Sequence, residues 1–381
     1  MRQKRILYIL KHDPWGVGGG SYACLMYLTA FRKLFSTYQM DVLICDNCMR
    51  HQPVEWKNRC NFIPIPPRRL LSRYFSCITG IMHRYQKVAK EKLQSNDYEY
   101  CIFDHNQIAG TLIDYVNSAT KTIVIHHNVE RHYTADNSTS NLYKILILPQ
   151  VIRCERNAYT KCDYNIFLTE EDMTEFHSLY GECKGYCSAV GLFETIDSPK
   201  IHYTNQTQSP VIVISGSLCN VQNTDGIMYF IRELYPYIPN NIPVIIAGKN
   251  PLPAIINALK DLPNVKLVSN PENMNDIINQ ASIYVCPTRL GSGIKVRISD
   301  GLKNGLPVIA HNVSARGYSD YIKKGCFFSF SNPKEFQEAF DIVLKRQKDG
   351  LWNEKDIIEI YYSISSLEAG CQRLKDFLFK R

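Results

Sequence analysis

Short apolar runs alternate with longer segments of helical period along almost the whole chain. The runs are rich in β-branched and aromatic residues and end at glycine, proline or polar residues, as is typical of strands buried in a parallel sheet. The runs predicted as strands are 5–10, 40–45, 100–104, 122–126 and 164–168 in the first half, and 210–215, 243–247, 265–269, 283–287, 307–310 and 326–330 in the second. The pattern therefore predicts an α/β protein in which strands and helices alternate.

One stretch of the chain fits neither period. Residues 193–209 are polar, include Pro199 and the run Asn-Gln-Thr-Gln at 205–208, and so have the composition of a linker. With 381 residues, the chain is long enough for two domains that each bury a core. We predict an N-terminal domain over 1–192 and a second domain that begins at 210. Each is expected to be a doubly wound, Rossmann-like domain, with a cleft between the two.

Composition places the chain among soluble globular proteins. Hydrophobic residues make up 45% of the sequence and charged residues 21%. No apolar run reaches the roughly 20 residues that a transmembrane helix needs. The 14 cysteines show no disulfide-framework spacing, which favours free thiols in a reducing compartment. We therefore expect a cytoplasmic protein.

A glycine-rich turn at 289–300, Arg-Leu-Gly-Ser-Gly-Ile-Lys-Val-Arg-Ile-Ser-Asp, follows a predicted strand. A helix beginning near Lys295 would present backbone N–H groups to an anion, and Arg289 could fork onto phosphate oxygens beside the Lys295 charge. Asp300, one and a half turns into that helix, could accept hydrogen bonds from sugar hydroxyls. These features predict a nucleotide-diphosphate site. By spacing alone, an ordinary strand–turn–helix connection with solvated cations is equally consistent.

Other polar loops follow predicted strands. Residues 15–21, Trp-Gly-Val-Gly-Gly-Gly-Ser, form a second phosphate-friendly turn, although they lack the G-x-G-x-x-G spacing of a dinucleotide site. Residues 215–218, Ser-Gly-Ser-Leu, follow the strand predicted at 210–215. His126 and His127 should point to opposite sides of an extended segment, so at most one is expected to face the cleft. The alternative for either histidine is a hydrogen-bonded residue at a strand end.

Together these motifs resemble glycosyltransferase family 4, which has the GT-B fold. The motifs that carry the resemblance, in the family's order, are His-Asn-Val-Glu at 127–130, Glu155 ahead of Leu-Thr-Glu-Glu-Asp at 168–172, Ser-Gly-Ser-Leu at 215–218 with Asn-Thr-Asp-Gly-Ile at 223–227, Gly-Ser-Gly-Ile-Lys-Val-Arg-Ile at 291–298 before Asp300, and Gly-Leu-Pro-Val at 305–308. The resemblance covers nearly the whole chain. It implies retaining transfer of a sugar from a nucleotide donor, bound mainly by a second domain over 210–360, to an acceptor bound mainly by the first. It also implies that a last helix, at about Tyr361–Phe379 within 361–381, crosses back to the first domain.

The resemblance also assigns roles to individual residues. The residues it predicts to be catalytic are Lys295 and Arg289 at the donor diphosphate, His127 as the cleft histidine, and Asp300. Asp300 stands at the second glutamate of the family's E-x7-E pair, whereas Ser292 replaces the first and cannot act as a carboxylate. The predicted binding residues are Gly18, Gly19, Gly216, Ser217, Gly291, Ser292, Gly293, Ile294, Lys295 and Asp300 for the donor, and His126 and Glu130 for the acceptor.

The resemblance implies transfer without a metal, and no cofactor is expected. The sequence contains no D-x-D triplet, and cations with helix N-termini can neutralise a leaving diphosphate in place of a divalent ion. The leaving phosphate could itself take the acceptor proton, in which case His127 would orient a sugar rather than act as a base.

A basic amphipathic segment lies at 66–94. It contains seven Lys or Arg residues and one Glu, interleaved with aromatic and aliphatic residues, in a chain of formal net charge +8. Such a segment fits an anionic bilayer, where a polyprenyl-diphosphate-linked acceptor would reside, and it would place the protein peripherally on the inner face of the plasma membrane. The alternative is a solvated helix packed on the first domain. Nucleic-acid binding is not expected, because no nucleic-acid module accompanies the basic segment.

The leading hypothesis is a hexosyltransferase-type glycosyltransferase of cell-surface polysaccharide or glycoconjugate biosynthesis. Its partners would be a nucleotide sugar and a glycan or lipid-linked acceptor. Two alternatives remain open: a nucleotide-sugar 2-epimerase of the same fold, which needs carboxylates for proton transfer, and a non-catalytic sugar-binding relative. The loss of the first glutamate at Ser292 keeps the second alternative open.

Overall fold

A computed structural model describes residues 3–66, 75, 79, 83–95, 97–137, 141–196, 210–351 and 353–380. The chain divides into two compact units. The first unit contains Met1–Thr195 together with Leu367–Arg381, and the second contains Ile196–Ser366. Most of the linker predicted at 193–209 lies outside the described residues.

The first unit is built on a seven-stranded parallel sheet. Its strands are β1 (Arg5–Leu10), β2 (Gln39–Cys45), β3 (Asn61–Ile65), β4 (Tyr100–Asp104), β5 (Lys121–His126), β6 (Tyr164–Phe167) and β7 (Tyr186–Ala189), in the order β3-β2-β1-β4-β5-β6-β7. Its helices up to the second unit are α1 (Gly19–Leu34), α2 (His83–Gln94), α3 (Asn106–Leu112), α4 (Glu130–Asn137), α5 (Asn141–Lys161) and α6 (Glu170–Tyr180), with 3-10 turns at Asp46–His51, Val54–Trp56 and Ile113–Tyr115.

The second unit contains a six-stranded parallel sheet. Its strands are β8 (Ile212–Ser215), β9 (Val244–Gly248), β10 (Val265–Ser269), β11 (Ile283–Cys286), β12 (Val308–His311) and β13 (Phe327–Phe330), in the order β10-β9-β8-β11-β12-β13. Its helices are α7 (Val221–Tyr229), α8 (Pro253–Ala258), α9 (Met274–Ile278), α10 (Ile298–Lys303), α11 (Ser319–Lys323), α12 (Pro333–Lys348) and α13 (Glu354–Ser365), with a π-turn at Phe230–Leu234 and a 3-10 turn at Tyr235–Tyr237.

Both faces of the central strands of the second sheet, β8, β9 and β11, are buried, which explains why these strands are mostly apolar. Along β8, Ile212 and Ile214 pack into one hydrophobic cluster, and Val213 between them packs into another. The neighbouring strand repeats this division, with Ile246 in the first cluster and Ile245 in the second. A strand covered by helices on both faces has no solvent side, so every position along it is apolar.

The eleven predicted strands are confirmed, with bounds that shift by no more than two residues. The described residues contain two strands that the pattern did not predict, β3 and β7, and these are the two edges of the first sheet. β3 includes Pro64 and an exposed Asn61, which an edge strand tolerates because one side of its backbone makes no ladder hydrogen bonds. These two edge strands therefore lack the continuous apolar signal, whereas β10 and β13, the edges of the second sheet, were predicted.

The prediction of one helix at about Tyr361–Phe379 is wrong. α13 ends at Ser365, Ser366 is extended with ψ of 159°, and a separate helix α14 begins at Leu367 and ends at Phe379. α14 belongs to the first unit, where the guanidinium of Arg373 donates to the Val190 carbonyl oxygen at 2.6 Å.

In each unit, the strand order reverses beside the first strand of its sheet. β1 lies between β2 and β4, and β8 lies between β9 and β11. At such a switch point the loops after the two central strands diverge, and open α/β sheets bind ligands there. The relevant loops are 11–18 after β1, His105 after β4, 216–220 after β8 and 287–297 after β11.

The basic segment at 66–94 is described only in part. Arg68, Arg69 and Arg73, three of its cations, lie outside the described residues. In α2, the later part of the segment, the apolar stripe of Tyr85, Ala89 and Leu93 is buried in the core of the first unit, where Tyr85 donates to the Leu10 carbonyl oxygen at 2.6 Å. That stripe is therefore not available to a bilayer. Among the described helices, none has the length and apolarity to cross a membrane.

Candidate functional site

The glycine-rich turn of the second unit adopts a backbone conformation that favours glycine. Gly291 and Gly293 have φ of 88° and 71°, in the left-handed region. Gly291 also lies against the side chain of Gln222 in α7, and a Cβ added at 291 would come within 2.3 Å of Gln222 Nε2. The turn is therefore held close to α7 at the β8–β11 switch point.

The helix after this turn begins later than predicted, at Ile298 instead of near Lys295. Between these residues, the N–H groups of Ile298 and Ser299 donate to the carbonyl oxygens of Lys295 and Val296 at 2.9 and 3.0 Å. Those N–H groups are thus not open to an anion. Asp300 consequently lies in the first turn of α10, where it forms an ion pair with Lys303 at 2.7 Å and keeps about a third of its side chain (34%) exposed.

Lys295 is held inside the turn. Its side chain is buried, and Nζ donates to the carbonyl oxygen of Ser292 at 3.1 Å. Its own carbonyl oxygen accepts a hydrogen bond from Tyr318 Oη at 3.0 Å. The Ser292 hydroxyl is buried and has no hydrogen-bond partner in the described part of the chain. A buried polar group without a partner is rare in folded proteins, so this hydroxyl is a candidate ligand contact.

Arg289, the predicted phosphate contact, is already paired. Its Nε and Nη2 donate to the two carboxylate oxygens of Asp225 at 2.9 and 3.1 Å, and its guanidinium carbon lies 4.6 Å from the centre of the Tyr229 ring. This two-point pairing uses the fork that was predicted to hold phosphate. A two-point phosphate contact through this edge of Arg289 would require Asp225 to be displaced.

Arg297 was not among the predicted site residues, yet its side chain lies at the switch point. Its Nη2 donates to Thr288 Oγ1 and lies 3.5 Å from Cys286 Sγ, both at the end of β11. A Cβ added to Gly216, after β8, would lie 3.5 Å from Arg297 Nε. Burial raises the pKa of the Cys286 thiol, but the Arg297 charge and the hydrogen bonds with Ser314, the Thr288 backbone and Arg297 together lower it by more, so the pKa lies below its ordinary value. Ser217, the other predicted residue of the β8 loop, is exposed.

In the first unit, His127 forms a buried pair with Asp104. His127 Nε2 lies 2.5 Å from Asp104 Oδ1, and both side chains are buried. The other oxygen of Asp104 accepts from Tyr8 Oη at 2.7 Å, and the Cys24 thiol donates to Oδ1 at 3.3 Å. Burial raises the pKa of Asp104, but His127 and these donors together lower it by more, so the pKa lies below its ordinary value. The carboxylate therefore holds the His127 ring in one orientation.

Cys24, Asp104 and His127 are close enough to hold a metal ion. One potential ligand atom from each lies within 4.8 Å of the others. The hydrogen bonds that Asp104 accepts from both partners account for this closeness without an ion.

A second buried network surrounds His105, directly after β4. His105 is not a glycine but has φ of 126°, a conformation that costs energy and that packing must enforce. Its Nε2 lies 3.1 Å from Glu130 Oε1 and 2.9 Å from Lys11 Nζ. Burial and the Lys11 charge lower the pKa of His105 to about 4. Burial would raise the pKa of Glu130, but His105 and Lys11 bring it below the ordinary value.

Three imidazoles meet at this end of the first sheet. The ring centre of His105 lies 5.5 Å from that of His12 and 5.7 Å from that of His127. Burial, followed by the neighbouring His105, lowers the pKa of His12 to about 3. Sequence reasoning missed His12 and His105, as well as Lys11 and Asp104. The available signal was their position, because these residues end or follow β1 and β4, the two strands at the switch point.

His126 and His127 point to opposite sides, as predicted. His126 is fully buried, stacks on Phe167 with ring centres 4.6 Å apart, and has its Nε2 2.9 Å from Asn165 Oδ1. The acceptor contact predicted for His126 is not supported, because none of its side chain is exposed. Glu130 is buried against His105, and its backbone N–H donates to Glu155 Oε2 at 2.5 Å. Burial raises the pKa of Glu155 to about 7.

Gly18 and Gly19 lie at the start of α1. Gly18 has φ of 124° and precedes the first residue of the helix, Gly19. Both are exposed, and no atom lies within 4 Å of a Cβ added at Gly18. The loop therefore leaves space beside the helix start, and the donor contacts predicted there remain predictions.

Comparison with known proteins identifies the fold. Residues 209–346 match the family described as glycosyl transferases group 1. A sequence comparison with curated proteins finds no match. Solved structures match over the full chain at low identity. Sucrose-phosphate synthase from Thermosynechococcus elongatus has a TM-score of 0.70 at 12% identity, covering 98% of each chain. HepE from Anabaena, solved with UDP, has a TM-score of 0.66 at 9% identity and covers 100% of each chain.

WaaG, a glycosyltransferase involved in lipopolysaccharide biosynthesis, has a TM-score of 0.63 at 13% identity and covers 99% of this chain and 100% of its own. The predicted fold class is confirmed by these structures and by the two parallel sheets. The chain has the GT-B fold over its full length, and residues 209–346 of its second unit match the group 1 glycosyl transferase family.

Proposed function

We propose that this protein is a retaining, metal-independent glycosyltransferase that moves a hexose from a nucleotide-diphosphate sugar to a glycan or lipid-linked acceptor. The observation that carries the proposal is the turn at 291–295, where a buried lysine and an unpartnered buried hydroxyl lie in a glycine turn at the β8–β11 switch point. The UDP bound in HepE supports a nucleotide-diphosphate donor.

The second unit would bind the donor. Lys295 would neutralise charge on the diphosphate, and its buried Nζ would need little rearrangement to do so. The Ser292 hydroxyl and turn backbone would take the place of the family's first carboxylate at the donor sugar. Asp300, partly exposed in the first turn of α10, would accept hydrogen bonds from ribose or sugar hydroxyls.

The reaction would break the anomeric C–O bond of the donor. Positive, oxocarbenium-like charge then builds on the sugar and negative charge on the leaving diphosphate. Fixed cations stabilise the leaving group in the role that a divalent ion has elsewhere. On the acceptor side, His127 would orient a reacting hydroxyl with its free Nδ1 edge while Asp104 holds its Nε2. The leaving phosphate would take the acceptor proton.

The acceptor would belong to cell-surface polysaccharide or glycoconjugate assembly. The involvement of WaaG in lipopolysaccharide biosynthesis supports this pathway class. The basic segment at 66–94, whose α2 portion carries lysines on its solvent side, would bring the protein to the cytoplasmic face of an anionic bilayer where a lipid-linked acceptor resides.

A nucleotide panel tests the donor proposal. Thermal unfolding would be followed with UDP, GDP and ADP and with their glucose conjugates. We expect one nucleotide series to raise Tm, because a ligand at 100 times its Kd stabilises a fold by about 2.7 kcal/mol. A protein that no diphosphate stabilises would not be a nucleotide-sugar transferase.

A further inference from the structure

Two arginines flank the donor turn, and they differ in what they bind. Arg289 is matched by a carboxylate, since both oxygens of Asp225 accept from it. Its side chain also keeps 44% of its surface exposed. The Nε–Nη2 edge of Arg289 is occupied by Asp225, so a two-point phosphate contact through that edge would break the ion pair, and Arg289 is a weaker candidate for the diphosphate contact than an arginine without a carboxylate partner.

Arg297 has the opposite character. No described carboxylate pairs with it, and within the described part of the chain its hydrogen bonds involve Nη2 alone, to Thr288 Oγ1 and Cys286 Sγ. A guanidinium has five N–H donors and keeps its charge at all accessible pH values. The N–H groups on Nε and Nη1 therefore have no acceptor in the described part of the chain.

The Arg297 side chain lies between the end of β11 and the loop after β8. One end of its guanidinium is fixed to the end of β11, while Cδ and Nε lie 3.4 and 3.5 Å from the place of a Cβ on Gly216, after β8. Gly216 has φ of 150° and no side chain, so the Arg297 side chain packs directly against the Gly216 backbone at the switch point. The Arg297 charge also contributes to the lowered pKa of Cys286.

We infer that Arg297, and not Arg289, supplies the guanidinium that binds the diphosphate of the donor. This inference rests on the proposed function and deepens it by assigning the site's second cation beside Lys295. Arg297 would donate from Nε and Nη1 to phosphate oxygens, with Thr288 holding the group in place. Arg289 would instead stabilise α7 through Asp225 and Tyr229.

Isothermal titration calorimetry tests the assignment by measuring the affinity of the wild type and its variants for the diphosphates and monophosphates of uridine, guanosine and adenosine. The variants are Arg297→Gln, Arg297→Lys and Arg289→Gln, with Arg346→Gln as a matched control, because Arg346 is an arginine of the second unit that donates to the Gly325 carbonyl oxygen at 3.1 Å. We expect Arg297→Gln to weaken diphosphate binding about tenfold or more, which is about 1.4 kcal/mol. Arg297→Lys should retain part of the affinity, and Arg289→Gln should remain within about threefold of wild type.

A second readout separates ligand binding from a structural role. Loss of Arg297 should shrink the affinity difference between diphosphate and monophosphate, whereas a general loosening of the fold would weaken both equally. If Arg297→Gln does not fold, Arg297→Lys against Arg289→Gln gives the same comparison. Undiminished diphosphate binding in the Arg297 variants, or a large loss of binding in Arg289→Gln, would overturn this inference and leave the proposed function standing. Absence of diphosphate binding by the wild-type protein overturns the proposed function as well.

Discussion

At the scale of single residues, the two candidate sites are marked by charged groups removed from water. Lys295 is buried in the donor turn, and Asp104 is buried beside His127. A buried charge is costly unless polar partners satisfy it. Asp104 has three donors around it, and Lys295 has the Ser292 carbonyl oxygen. Such preorganised charges are those that catalysis uses.

Lys295→Ala should remove most sugar transfer while leaving the protein folded. Losing one charged contact to a leaving group costs roughly 2–4 kcal/mol of transition-state stabilisation. Turnover would be measured with the donor identified by the nucleotide panel, and folding by thermal unfolding. Lys260→Ala, at an exposed lysine of the same unit, is the control. Turnover like that of the wild type in folded Lys295→Ala would remove Lys295 from the mechanism.

Asp104→Asn should reduce turnover about 10–100-fold with donor affinity unchanged, the scale seen when a group that orients a histidine is lost. The amide would offer an N–H where the carboxylate accepts, so the His127 ring would change tautomer or orientation. Because the folded pKa of Asp104 is lowered, its stabilising effect is present above its unfolded pKa and is lost as pH falls. The variant should therefore be less stable than wild type at neutral pH, and the difference in free energy of unfolding should shrink as the pH falls.

Asp41→Asn is the matched control for this change. Asp41 is also fully buried in the first unit and accepts from a tyrosine, Tyr98, at 2.6 Å. It pairs with Arg5 and lies outside the histidine cluster. We expect Asp41→Asn to lose stability but keep turnover in the protein that remains folded. Equal loss of turnover in both variants would mean that Asp104 acts only through stability.

At the scale of elements, glycines set how closely helices and strands approach. A Cβ at Gly226 in α7 would lie 2.8 Å from the Thr288 backbone after β11, and one at Gly248 would lie 1.7 Å from the Gly216 carbonyl oxygen. These contacts bring α7, β9 and β11 against the loops of the donor site. The same device holds α14, where Gly370 lies against the Phe193 ring. The local pattern alone would allow any good helix-forming residue at Gly226 and Gly370, but packing restricts these positions to glycine.

Gly370→Ala tests this at the C-terminal helix. Alanine ordinarily stabilises a helix by about 1 kcal/mol relative to glycine. Here its Cβ would lie 2.2 Å from Phe193 Cγ, and such overpacking costs typically 1–3 kcal/mol. We expect a net loss of stability in urea unfolding. Gly20→Ala in α1, where the nearest atom is 3.9 Å away, should be neutral or stabilising. A Gly370→Ala protein more stable than wild type would show that Phe193 moves aside at little cost.

At the scale of the whole molecule, both units use the same arrangement for different chemistry. Each places its polar cluster at the loops beside its first strand, where the strand order reverses. The first unit gathers imidazoles and carboxylates there, and the second gathers glycines, Lys295 and Arg297. The imidazoles and carboxylates are thus carried by one unit and the cations of the proposed phosphate site by the other, which suits the proposed transfer between two substrates.

Excess EDTA should leave turnover unchanged. The proposal uses Lys295 and Arg297 as the cations at the leaving diphosphate, so no divalent ion is needed there. EDTA should also leave Tm unchanged, because hydrogen bonds account for the approach of Cys24 to Asp104 and His127. Activity that falls with EDTA and returns with magnesium or manganese would contradict the proposal, and a fall in Tm alone would indicate a structural metal.

The local patterns predicted most strands because these are apolar runs, and the central ones are buried on both faces. They missed β3 and β7, edges of the first sheet whose sequences, Asn-Phe-Ile-Pro-Ile and Tyr-Cys-Ser-Ala, are interrupted by polar residues or proline. They placed the start of the donor helix near Lys295, where the chain instead forms a tight turn before Ile298. The turn is held in part by Tyr318, which lies 23 residues further along the chain and donates to the Lys295 carbonyl oxygen. A contact at that separation leaves no signal in the local hydrophobic period.

The sequence by itself determined the α/β class, eleven of the strands, the glycine turns and the resemblance to a glycosyltransferase family, because these depend on residues that are neighbours along the chain. Only the tertiary structure decided that Arg289 is paired with Asp225 while Arg297 has no carboxylate partner among the described residues, and that His127 rather than His126 joins a polar cluster. Tyr8 and Asp104 are 96 residues apart, and they meet because β1 and β4 are adjacent in the sheet. Strand order decides such pairings, and no local period encodes it.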